Sequence, residues 1–80
     1  MIDTDLGKPI TVVAHEQAGA SIRLSEKHLD QVKDLLAENG VPNWKEHNLI
    51  SYDRGPFIGY IHLRRAKDAE KAQTILDRVS

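Results

Sequence analysis

The clearest periodicity in the chain lies in its middle. Leu29, Val32, Leu35 and Leu36 recur at steps of three and four residues, which puts them on one stripe of a helix. Lys27, Asp30, Gln31, Lys33, Asp34 and Glu38 fill the polar positions around it. Ser25 stands where a hydroxyl can accept a free N–H of the first turn, and Glu26 follows where the helix dipole favours an acid. Asn39 and Gly40 close the pattern, Gly40 being suited to the left-handed residue after a helix, and Pro42 blocks continuation. These signals predict a helix over residues 25–39. A second stripe of Ala69, Ala72, Ile75, Leu76 and Val79 predicts another over residues 67–79.

The remaining apolar runs follow the period of a strand. Residues 10–14 are rich in β-formers, and residues 21–24 alternate so that Ile22 and Leu24 share a face. Residues 48–52 and 57–63 read as two further strands. Asp53, Arg54, Gly55 and Pro56 between them form a turn signal, with Gly55 expected to supply the positive φ, so the two runs should pair as an antiparallel hairpin. Gly19 is expected to take positive φ in the break before residues 21–24, and Gly59 to mark a bulge or a close backbone approach. Residues 42–47 read as a connector, with Trp44 plugging the open edge of the core.

The predicted order is (β)β-α-β-β-α: an α+β fold with a small antiparallel sheet of three or four strands and two helices on one of its faces. The layout resembles a ferredoxin-like or ACT-like unit that is incomplete or rearranged. A widely used fold carries no function with it. Residues 1–8 read as a flexible arm and residues 9–80 as one domain.

Composition narrows the classes. The 80 residues include no cysteine, which excludes disulfides and thiolate metal sites. A chain this short buries a limited share of its surface, so oligomerisation is the available way to add stability. With 11 Lys and Arg against 12 Asp and Glu, no global basic field draws phosphate backbones. Acids near Met1, the lack of an apolar leader and the lack of any membrane-length apolar window lead to the expectation of a cytoplasmic protein with no membrane partner.

Candidate chemistry comes from the uncovered side of the sheet. If helices cover the face bearing Phe57, Ile61 and Leu63, then Ile58, Tyr60 and His62 face the other way, with Tyr52 on the neighbouring strand. An apolar and aromatic patch on an open sheet face marks an interaction site. These four residues are the expected contact face of a non-enzymatic interaction or regulatory module, the first partner being a second copy of the chain and another protein being possible. The alternative is a single-stranded nucleic-acid-binding module in which Arg54, Arg64, Arg65 and Lys67 hold phosphates beside the aromatic rings. A third reading is a small enzyme or ligand carrier using His15, Glu16 or His62 at a subunit interface. No two of His15, His28, His47 and His62 lie within ten residues of one another, so no metal site is expected, and no cofactor motif is present.

Overall fold

A computed structural model describes residues 1–15, 19–46, 49–51 and 54–79. Among the described residues nine elements follow in chain order: β1 (Ile2–Asp3), β2 (Lys8–Pro9), β3 (Val12–His15), β4 (Gly19–Ser25), α1 (Glu26–Glu38), β5 (Asn43–Lys45), β6 (Ile50–Ser51), β7 (Phe57–Leu63) and α2 (Asp68–Asp77). β3, β4, β7 and β5 form one antiparallel sheet in that spatial order, and β6 continues the β5 edge along β7. The α+β class and the two helices are as the sequence predicts. The strand order is that of a ferredoxin-like sheet whose last strand has been moved ahead of its first.

Both helices lie on one face. Ile22 and Leu24 of β4 and Ile61 and Leu63 of β7 point toward Leu29, Val32 and Leu36 of α1 and Ala72, Ile75 and Leu76 of α2, and all ten are buried. The molecule measures 34 × 28 × 18 Å, a thickness that fits one helical layer on one sheet. α1 ends in a Schellman motif: Gly40 has φ 76°, its N–H donates to Ala37 O, and the Val41 N–H donates to Leu36 O at 2.9 Å. This fold-back delivers Val41 into the core.

Gly59 sits in unbroken register opposite Leu24, so it is no bulge. Instead it lets α1 approach: a Cβ there would stand 2.7 Å from Leu29 Cδ1 and 2.9 Å from Leu49 Cδ2. Gly59→Val is therefore expected to lower stability by about 1–3 kcal/mol through overpacking. The check is the urea midpoint, and a variant as stable as the parent overturns the close approach.

Four local expectations need correction. The turn before β7 takes its positive φ at Arg54 (61°), not at Gly55. Pro56 explains this, because the residue preceding a proline is pushed to extended angles and the left-handed step moves one residue earlier. Residues 43–45 are no connector: they pair with β7 as β5. Ser25 occupies the N-cap position with extended backbone but makes no capping bond to α1, because its hydroxyl donates to Asp3 Oδ1 at 2.9 Å. Residues 1–8, expected to be a loose arm, carry a short hairpin, β1 against β2.

Asp3 is what folds that hairpin down. Its Oδ1 accepts the N–H groups of Asp5 and Leu6, and its Oδ2 accepts the Ser25 N–H at 2.6 Å. The chain end is tied at a second point, where the Met1 amine donates to Leu76 O at the end of α2. Gln73 of α2 then clamps the start of β3: its Oε1 accepts the Val12 N–H at 2.8 Å and its Nε2 donates to Ile10 O at 3.2 Å. Ile10 thereby enters the core.

Candidate functional site

The ladder register decides what the open face carries. Ser21 of β4 and Trp44 of β5 both stand opposite His62 of β7, and Val13 of β3 stands opposite Ser21. One row across the sheet is therefore Val13, Ser21, His62 and Trp44. The next row is Arg23 opposite Tyr60, continued by Glu46, whose N–H donates to Tyr60 O at 2.9 Å. Both described helices lie on the opposite face of the sheet from these side chains.

Three rings make a ribbon at the centre. Trp44 stacks on His62 with centroids 5.5 Å apart and planes 29° apart. His62 stacks on Tyr60 at 6.3 Å and 18°. Trp44 is 50% exposed and Val13 52% exposed, while Tyr60 and His62 are half-buried between their neighbours. His62 Nε2 lies 3.5 Å from Glu46 Oε1, a contact that orients the ring and becomes an ion pair when the imidazole is protonated. Ile50 lies opposite Ile58 on the same face and is 42% exposed.

The expected residues fare differently. Tyr60 and His62 are brought together on the open face. Ile58 shares that face by parity but is buried at 3% beside Ser25, where the Asp3 hairpin comes down, so it offers no contact area. Tyr52 and Glu16 lie outside the described residues. Arg54 and Arg64 flank opposite ends of β7 and so stand about 20 Å or more apart at the strand rise. Arg65 is engaged with Asp68 at the start of α2, Nε to Oδ2 at 3.1 Å and Nη2 to Oδ1 at 3.3 Å. Arg64 and Lys67 are exposed.

Sequence reasoning missed Trp44, Val13 and Arg23. Trp44 does not plug the core edge: the β5 pairing turns it onto the open face, where His62 is its neighbour. A signal was present, since Asn43, Trp44 and Lys45 alternate, but three residues flanked by Pro42 are too short to declare a strand.

His15 Nε2 lies 2.7 Å from Ser21 Oγ at the outer edge of the same face. The pair is a polar contact across the β3–β4 ladder, and among the described residues no acid forms an ion pair with His15. Among the described residues no group of three His, Cys, Asp or Glu side chains is placed to hold a metal, and no helix is long and apolar enough to cross a membrane. No protein-family model matches the chain, and neither the curated proteins nor the solved structures contain a significant match to it.

Proposed function

We propose that this chain is a small non-enzymatic binding module of the cytosol that self-associates through the open face of its sheet. The observation that carries the reading is the ribbon of exposed Trp44 and half-buried His62 and Tyr60, with exposed Val13 and Ile50 on the same face, on the side of the sheet away from the two helices. Aromatic and aliphatic side chains gathered on an open sheet face and rimmed by polar residues are the usual mark of an interaction site. Freedom from cysteine accords with a reducing compartment.

Size sets the strength of the contact. Four strands about 4.8 Å apart and roughly 20 Å long present about 400 Å². That is half of the roughly 800 Å² per partner in a standard stable complex. The association is therefore weak and dependent on concentration. In light scattering after size exclusion, the weight-average mass rises from one chain toward two over the micromolar to millimolar range and changes little with salt. Trp44→Glu holds the chain at one mass throughout while its circular dichroism stays that of the parent. A parent that remains at one mass up to millimolar concentration sinks the reading, as does a Trp44→Glu variant that associates like the parent.

One observation favours a second reading, a single-stranded nucleic-acid-binding module. Arg23 stands directly across the ladder from Tyr60, so a cation adjoins a ring able to stack a base. That reading requires binding to single strands that weakens steeply as salt rises.

A further inference from the structure

Beside the ribbon, the N-terminal hairpin, the β3–β4 edge and Tyr60 border an open groove of about 380 Å³. That volume falls within the roughly 300–1,000 Å³ range of small-molecule sites. Its lining divides by chemistry. Lys8 and Arg23 bring two positive charges and His15 a group that can carry a third; Thr11 and Ser21 bring hydroxyls; Val13 and the Tyr60 ring form the apolar wall. Among the described residues no acid lines the groove, and Glu46 on this face sits beyond it, against His62. Among the described residues neither Lys8 nor Arg23 has an ion-pair partner, whereas Lys45 pairs with Asp30 and Arg65 with Asp68.

We propose that this groove binds a small phosphorylated ligand with a flat ring, the chemistry of a mononucleotide. A single exposed arginine on a surface means little. Here two cations from separate elements, Lys8 of β2 and Arg23 of β4, line one groove, and no carboxylate among the described residues lines it with them. Like charges held together without a counter-charge repel, and an anion placed between them removes that repulsion. The His15–Ser21 contact adds a neutral donor. With the proton on Nε2, the imidazole donates to Ser21 Oγ, and the hydroxyl hydrogen is left free for a phosphate oxygen. Tyr60 and Val13 supply a flat apolar wall for the ring.

The groove shares Val13 and Tyr60 with the proposed self-association face but not Trp44, so a second copy would compete with the ligand and binding is measured at a concentration where the chain is a single copy. The test is a titration of the ¹⁵N-labelled full chain with AMP, followed by amide shifts, with adenosine, inorganic phosphate and a short oligo-adenylate as parallel probes. AMP should give saturable shifts at Val13, His15, Ser21, Arg23 and Tyr60. Phosphate should shift the same amides with at least tenfold weaker affinity, and adenosine should not saturate. Arg23→Gln, an exposed position, should weaken AMP at least tenfold with the spectrum otherwise that of a folded chain. At that dilution Trp44→Glu should bind AMP as the parent does, so that a failure of self-association and a failure of this site are read separately. The proposal is overturned if AMP gives no saturable shift at these amides, or if Arg23→Gln binds it like the parent. Binding of the oligo-adenylate without AMP also overturns it and assigns the face to a strand of nucleic acid.

Discussion

Asp3→Ala is expected to destabilise the chain by about 3 kcal/mol, because the change strands buried donors. The Asp3 side chain is 2% exposed and gathers the Ser25 N–H, the Ser25 hydroxyl and the N–H groups of Asp5 and Leu6. Without the carboxylate, the Ser25 N–H and hydroxyl remain buried at the head of α1 with nothing to accept them. A chain of this length holds roughly 4–12 kcal/mol in total at the usual 0.05–0.15 kcal/mol per residue, so the loss is a large share. Asp3→Asn keeps one oxygen but sets an NH2 group against a donor, and should cost about 1–2 kcal/mol.

The same carboxylate gives a pH signature. Burial by itself raises the Asp3 carboxyl, but the N–H of Ser25, the N–H of Leu6, the Ser25 hydroxyl and the N–H of Asp5 together outweigh it, and the net shift is downward. A depressed folded value means that the contribution is fully present above the ordinary aspartate value near about 4 and is lost as pH falls from there through the folded value. The gap in urea midpoint between parent and Asp3→Asn should thus be constant from pH 7 to pH 5 and shrink below about pH 4. An equal gap at pH 7 and pH 3 would show that Asp3 is not held as a carboxylate. His28 stands close by: its Nε2 lies 3.3 Å from the Thr4 nitrogen and 3.9 Å from Asp3 Oδ1.

The two helices and the strands β4 and β7 were legible because each buries one face along a regular period. α1 spans Glu26–Glu38 where residues 25–39 were expected, and α2 spans Asp68–Asp77 within residues 67–79. Parity within β7 correctly put Tyr60 and His62 opposite Ile61 and Leu63. What could not be read is fixed by partners distant in the chain. Asp3 meets Ser25 across 22 positions and Gln73 reaches Val12 across 61, and no local pattern encodes either. Hence the arm looked loose, and Ser25 looked like an ordinary cap.

The site shows the same divide. Alternation tells which side chains of one strand share a face, but not which strands lie beside it. Only the β4–β7 and β5–β7 registers reveal that Arg23 adjoins Tyr60 and that Trp44 adjoins His62. The arginines expected at the site were chosen for nearness in sequence to β7. The one that meets the tyrosine comes from β4, 37 positions away, Tyr60 minus Arg23.

Gly19→Ala should have the largest effect of any single methyl added to this chain. Gly19 opens β4 with φ 80°, and a Cβ there would stand 2.2 Å from Leu63 O and 3.0 Å from Arg64 O. Both are backbone atoms at the end of the central strand, so no side chain can swing aside as Leu29 and Leu49 can at Gly59. The left-handed backbone alone costs an alanine about 1–2 kcal/mol. Relieving the contact means drawing β4 away from β7 at the Ala20–Leu63 rung, which exposes core, and the total should exceed about 3 kcal/mol. Gly19→Asn separates the two causes. Asparagine tolerates positive φ, so it would recover most of the loss if backbone conformation were the whole reason, yet its Cβ meets the same carbonyl. Both variants are expected well below the parent, with Asn above Ala by no more than the backbone share of about 1–2 kcal/mol. Near-parental stability of Gly19→Asn would show that the chain tolerates a side chain there and that the approach of β4 to Leu63 is looser. The consequence reaches the groove as well. His15 pairs with Gly19 and Ser21 lies two residues on, so a shifted β4 start moves the hydroxyl donor away from Arg23, and AMP shifts should fade in any Gly19 variant that still folds.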